Sequence, residues 1–231
     1  MLNLIKLELK KNKLGWFFKG IILANLIILG LLCMIPAIEK SEGDQTLNSF
    51  TEYFTLSGAM VRGTVIVFAA VLISKIIIDE FKNRTHLVLF SYPVNRKKIL
   101  AAKLILIFTL TLFTMVISNL FVIHALMGMN QILHLTSVMS FTVTDYFAEI
   151  VKLLMFNLAT AGAALVPLYF GMRKYSTPAT IVSSILIVFV TSSSGSDISL
   201  ASIIYIPLAL ALMALGIVFL AIWNIERIDL N

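Results

Sequence analysis

The chain has 231 residues, 59% of them hydrophobic and 13% charged, with a net charge of +6. Soluble domains average about 45–50% apolar and about 25% charged, and the apolar residues here fall in runs of about twenty, the length that crosses a bilayer. A soluble domain is excluded, and without a basic patch interleaved with exposed aromatics the positive balance reports membrane orientation and anionic-lipid contact rather than nucleic-acid binding.

The predicted fold is all-α: a polytopic membrane protein with six transmembrane helices in a single domain over 1–231. Residues 1–13 open it as an interfacial amphipathic helix, with Asn3, Lys6, Lys10 and Lys13 on one face and Leu2, Ile5 and Leu9 on another. The first span is Leu14 to Ile38, with Trp16 near the cytoplasmic interface and Pro36 closing it. This run is longer than a signal-peptide core and no A-x-A site follows, so it is expected to stay in the mature protein. Leu31 and Leu32 before Cys33 argue against a lipoprotein site, and a single cysteine allows no internal disulfide. Glu39 to Thr55 is acidic and belongs outside.

Leu56 to Ile78 is the second span, Ile99 to Met127 the third and Tyr146 to Phe170 the fourth, with Gly128 to Thr144 as an outer loop. The turn Gly171–Lys174 leads inside to the fifth span, Tyr175 to Val190. Thr191 to Ser199 is a small outer loop and Leu200 to Trp223 the sixth span. Placing both termini in the cytoplasm puts 15 of the 18 basic residues inside and leaves only Lys40, Arg62 and Lys152 for the outer half. Excess Lys and Arg beside spans marks the cytoplasmic side.

Between the second and third spans lies a charged island, Asp79 to Lys103. Lys75, Lys82, Arg84, Arg96, Lys97, Lys98 and Lys103 crowd in and around it. Asp79 to Phe90 can form a short helix, which Tyr92-Pro93 breaks because the residue before proline avoids helical geometry. Such a helix, held at both ends by spans, is suited to passing a push from a soluble protein into the bilayer. A solvated loop with the usual positive flank has the same composition.

The run Glu80 … Arg84-Thr85 … Leu89 … Pro93-Val94-Asn95-Arg96 … Ile99-Leu100 … Lys103 resembles the coupling-helix signature of type 2 exporter-class ABC transporter permeases. That signature is an acidic residue, a Gly-Thr pair, a leucine, Pro-x-[Ser/Asn]-Arg and a lysine at the start of the third span. Arg84 stands where glycine is commoner, and the 191–199 loop is brief where the family often has re-entrant helices. The resemblance implies a cytoplasmic coupling helix seated in a cleft of an ABC ATPase, with Glu80, Arg84, Thr85, Leu89, Pro93, Arg96 and Lys103 in that contact and Arg173 and Lys174 in a lesser one. It also implies a second permease subunit, identical or not, and a bacterial plasma membrane. ATP and Mg belong to the partner. The chain has no G-x-x-x-x-G-K-[ST] and no cofactor of its own. The implied activity is export of hydrophobic or amphipathic cargo, foremost antimicrobial or toxin-like peptides. Drugs, lipids or sodium are the alternatives, and a non-transport membrane scaffold the rival class.

Candidates for the translocation path are the polar residues within spans: Asn25, Arg62, Asn119 and Asn157. For the asparagines the simplest role is hydrogen bonding between helices. For Arg62 it is snorkelling outward, with a cavity-facing role as the alternative. Lys152 pairs with Glu149 or reaches its own surface, and Ala159 and Ala163 mark close packing. His86, His124 and His134 are scattered without a metal motif. Ser192 to Asp197 lacks the glycine and histidine a hydrolase would need, so no catalytic residue is assigned.

Overall fold

The computed structural model describes residues 2–11, 14–42, 50–83, 96–133, 143–192 and 205–224. The described residues are helical throughout, apart from turns. Helix α1 is Leu2–Lys11, α2 Gly15–Glu42 and α3 Phe50–Ile73. The last continues without a break through a π-helical turn, Ser74–Ile78, into α4, Asp79–Lys82. Then come α5 (Arg96–Leu133), α6 (Val143–Ala163), α7 (Pro167–Lys174), α8 (Thr177–Ser192) and α9 (Tyr205–Asn224).

Four stretches are long and apolar enough to cross a membrane: Gly15–Pro36, Thr51–Lys82, Lys97–Gln131 and Tyr146–Arg173. Two shorter apolar helices, Thr177–Thr191 and Leu208–Ile222, accompany them. The chain is therefore a helical membrane protein.

α3 is the axis of the bundle. Its apolar stretch is 72% buried against 22% for that of α2, so α3 is enclosed by the chain's own helices while most of α2 is left uncovered by them. Val61, Val65, Ile66, Ala69, Leu72, Ile73, Ile76 and Ile77 are all buried along it, packed on α8, α5, α2 and α6. α9 packs chiefly on α6, where a side chain at Gly162 would meet the Ala211 Cβ at 2.8 Å. Small residues let the two backbones approach this closely. Buried Ala159 and Ala163 flank that glycine, as expected of close packing.

Several predicted boundaries move. Pro36 closes the first apolar span, as expected, but not its helix: α2 runs on to Glu42, because loss of one ladder hydrogen bond is tolerated where neighbouring groups re-satisfy the freed carbonyl. With α3 starting at Phe50, the predicted outer segment Glu39–Thr55 is largely helical, and its centre, 43–49, lies outside the described residues. α5 absorbs Gly128 and extends to Leu133, which at 38 residues makes it about 57 Å long. The predicted fourth span is interrupted at residues 164–166, and α7 restarts at Pro167, a residue suited to the first turn of a helix, where no N–H is needed. Gly171–Lys174 is thus helix, not turn. The reversal falls at Tyr175, whose backbone is left-handed (φ 45°). Most of the 191–199 loop, and residues 200–204 of the predicted sixth span, lie outside the described residues.

α1 forms as expected, but the face it buries differs. Ile5 packs on the core and Glu8 is buried, while Leu7 and Leu9 are exposed. A buried carboxylate draws the helix round, since it needs a cation more than the leucines need cover.

Candidate functional site

The functional geometry lies at two levels, a polar base at the basic end of the bundle and a cleft toward the other end.

At the base, Lys103 projects from the second turn of α5 and is 3% exposed. An ammonium has three donors and no acceptor, and three acceptors surround this one. They are a carboxylate oxygen of Glu80, the Ile76 carbonyl at 3.1 Å and Glu8 Oε1 at 3.4 Å. Ile76 lies within the π-helical turn, where wider winding disturbs the ordinary carbonyl ladder. Lys11 of α1 bonds the other Glu80 oxygen. Two lysines thus offset two glutamates, joining α1, the end of α3–α4 and the start of α5.

The same base grips the other inner turn. Tyr175 stacks on Phe81 with ring centroids 5.8 Å apart and 12° between planes. The Thr177 hydroxyl donates to Asp79 Oδ1 at 3.2 Å. A left-handed tyrosine is strained, and the Phe81 stack holds it there. Gly171 allows the approach, since an added Cβ would stand 2.9 Å from Ile78 Cδ1 and closer still to Thr180 Oγ1. Nearby, the Lys75 ammonium sits 4.1 Å above the Trp16 ring, a cation–π contact of a kind suited to a membrane interface.

Of the residues expected at an ATPase contact, Glu80 and Lys103 face each other within the bundle, and Arg173 is exposed on α7. Arg84, Thr85, Leu89 and Pro93 lie outside the described residues. So do the side chains of Arg96, which opens α5, and Lys174, which closes α7. Glu8, Lys11, Phe81 and Tyr175 join the site without having been predicted for it. Glu8 left a signal, being the single acidic residue in a basic N-terminal helix.

Higher in the bundle the asparagines bridge helices, as expected. Asn25 of α2 donates to Ser118 of α5 at 2.9 Å, and Asn119 of α5 to Asn157 of α6 at 3.2 Å. The second pair leaves Asn119 Oδ1 and Asn157 Nδ2 buried without a hydrogen-bond partner among the described residues. A buried polar atom left unpaired costs about 1–3 kcal/mol. Asn157→Leu is therefore expected to destabilise by about 1 kcal/mol, because it strands the Asn119 amide. The double substitution Asn119→Leu/Asn157→Leu is expected to cost less than the single one. Thermal unfolding of the purified variants measures both.

Arg62 does not snorkel. It is buried, its guanidinium 5.0 Å from the Phe156 ring centroid. It lines a cleft of about 200 Å³ between α3 and α6 with Thr51, Phe54, Thr55, Glu149, Lys152, Leu153 and Phe156. Lys152 bonds Glu149 at 2.7 Å, as expected. His124 is exposed and meets the Tyr146 hydroxyl at 3.1 Å; His86 and His134 lie outside the described residues.

Comparison with known proteins adds the family. The family model described as "ABC-2 family transporter protein" matches residues 4–194. The chain is also similar to the uncharacterized protein YcbO of Bacillus subtilis (strain 168). The two are 42% identical over 233 residues, covering 99% of this chain and 100% of that protein. No solved structure matches. A match over most of the chain, on a helical bundle with membrane-length apolar spans, identifies it: the chain belongs to the ABC-2 family of transporter proteins.

Proposed function

We propose that this protein is the membrane-spanning half of an ATP-driven exporter of amphipathic cargo, with peptides as the first candidates. Membership of the ABC-2 family makes it a transmembrane permease component of an ABC transporter, and implies an ABC ATPase as partner. The finer reading has six spans, both termini in the cytoplasm, and two permease subunits working with two ATPases. The Glu80–Pro93 segment docks on the ATPase and the Gly171–Ser176 region makes a second, smaller contact.

One observation carries this reading. Glu80 and Lys103 stand on either side of residues 84–95, at the two roots of that segment, and are bonded to each other. A load applied to the segment therefore reaches α3 and α5 together, and through Glu8 and Lys11 reaches α1 as well. Clamped roots are what a lever needs and a passive loop does not.

The base also refines the test. Reversing Glu80 disrupts an internal network, so loss of the ATPase in that variant would not separate docking from damage. Arg84→Glu acts on the segment itself and Arg96→Glu at its junction with α5. Each is expected to reduce co-purification of the soluble ATPase at least several-fold while the permease remains monodisperse in detergent. Undiminished co-purification of both variants would remove the docking role. For cargo, the ATPase activity of the assembled complex is expected to rise with amphipathic peptides; a response to drug-like compounds alone would end the peptide proposal.

A further inference from the structure

We infer that α3–α4 is built to hold two registers: the π-helical turn at Ser74–Ile78 rewinds as ordinary α-helix, which hands each contact of α4 to the residue before it. The inference concerns this chain alone, goes beyond the transport reading and does not depend on it.

The winding comes first. The Asp79 N–H reaches the Ser74 carbonyl, a step of five residues, where an α-helix takes four. The turn therefore holds one residue more than the α-helix on either side of it requires. Rewinding passes that residue on beyond Lys82, turning α4 by about 100° and advancing it by about 1.5 Å. Single π turns are rare and persist where surrounding contacts over-determine them. Here those contacts are Lys103 on the Ile76 carbonyl and on Glu80, Tyr175 on Phe81, and Thr177 on Asp79. The Ser74 hydroxyl, 1% exposed, adds no fastening, having no hydrogen-bond partner among the described residues.

The sequence makes the second register habitable. Ile76-Ile77-Ile78-Asp79-Glu80 sets like residues side by side. A one-residue shift puts Ile77 where Ile78 now lies against Gly171, and Asp79 where Glu80 now meets Lys103. Isoleucine replaces isoleucine and acid replaces acid. All three isoleucines are buried, so the bundle already accepts a branched side chain on each of these faces. Asp79 is one methylene shorter than Glu80, a gap that the flexible lysine covers. The buried ammonium thus keeps a carboxylate in both registers, and the heavy cost of stranding it does not arise.

The two registers differ at the inner turn. In the shifted one Glu80 replaces Phe81 against Tyr175 and Ile78 replaces Asp79 beside Thr177, so the stack and the hydroxyl bond are both lost. The observed register gains those two contacts and the shifted one gains regular α-helical bonding. Two packings so nearly balanced make a switching element. Its action is to release the left-handed turn at Tyr175 from α4 while Lys103 stays paired.

The test is cross-linking of cysteine pairs by a short bifunctional thiol reagent, in the full-length protein in nanodiscs with Cys33→Ser as background. Phe81→Cys/Tyr175→Cys reports the observed register and Glu80→Cys/Tyr175→Cys the shifted one. Positions 80 and 82 flank 81 equally in the observed register, so Lys82→Cys/Tyr175→Cys is the control. The 80–175 pair is expected to cross-link several-fold faster than the 82–175 pair. Asp79→Asn is expected to slow the 80–175 pair several-fold, because the shifted register needs that acid at Lys103. Deletion of Ile77 removes the surplus residue and is expected to silence the 80–175 pair while the 81–175 pair persists. An 80–175 rate no higher than that of the 82–175 pair, or one that survives the deletion unchanged, overturns the inference. Thermal unfolding decides if the deletion variant fails to fold. Asp79→Asn and Glu80→Gln together are then expected to lower the melting temperature by more than the sum of the two single shifts, since either acid serves Lys103. Additive shifts overturn the inference.

Discussion

Lys103→Met is expected to be among the most damaging single substitutions in this protein, destabilising it by about 3 kcal/mol. Removing one partner of a buried ion pair typically costs about 3–5 kcal/mol, because the other charge stays buried and uncompensated. Here two carboxylates lose their shared cation. The lower end of the range applies because the Glu80 and Glu8 side chains keep 12% and 10% exposure and Lys11 still reaches Glu80. The double variant Lys103→Met/Glu80→Gln is expected to recover a substantial part of the loss, since a neutral amide needs no counter-charge. Thermal unfolding of the single and double variants in detergent gives the coupling directly. A single-variant cost below about 0.5 kcal/mol would class the network with screened surface pairs and would remove the clamped roots from the coupling argument.

The second large effect is expected at Gly171. Gly171→Val places a branched side chain where even a Cβ lies 2.9 and 3.1 Å from Ile78 and overlaps the Thr180 hydroxyl. That hydroxyl is committed to the Ser176 carbonyl at 3.1 Å, so it cannot swing aside without giving up its bond. Overpacking of this kind costs about 1–3 kcal/mol, and the valine belongs at the top of that range. The separation of α7 from α4 would also loosen the stack of Tyr175 on Phe81, leaving the left-handed backbone at Tyr175 unsupported. Gly171→Ala is expected to cost less, and Gly171→Ala/Thr180→Ala less again, because only the Cβ remains to be accommodated against the flexible end of Ile78. If valine were tolerated without loss of thermal stability, the contact between the inner turn and the base of α3–α4 would not be a close one.

Local sequence signals worked where a single segment meets a single environment. An apolar run of bilayer length becomes a helix whatever its neighbours do, because lipid satisfies no backbone group. That is why α2, α3, α5 and α6 were legible without any tertiary information. The basic island was equally legible from charge alone. Local rules failed where lipid or packing changed their weight. Pro36 reads as a stop in water but not inside α2. The boundary at 164–166 is marked only by Pro167, which reads equally well as part of a continuous span.

The sites show the same division. The amide bridges could be anticipated as a class, since Asn25, Asn119 and Asn157 had nowhere else to satisfy themselves. Their partners could not be, because Ser118 and Asn25 lie 93 residues apart in the chain. Arg62 reads along its own helix as a residue close enough to the surface to snorkel. Only α6, packed alongside with Phe156 facing it, turns the guanidinium inward.

Helicity, residence in a membrane and the placing of positive charge follow from the amino-acid order alone, because transfer free energy and backbone satisfaction act on each segment separately. Helix packing is what shares Lys103 between Glu8 and Glu80, rests Tyr175 on Phe81 and sets Arg62 at the wall of a cleft. Those outcomes depend on how helices distant in sequence pack against one another. A buried charge takes the partner that packing brings within reach, and its own sequence neighbourhood does not name that partner.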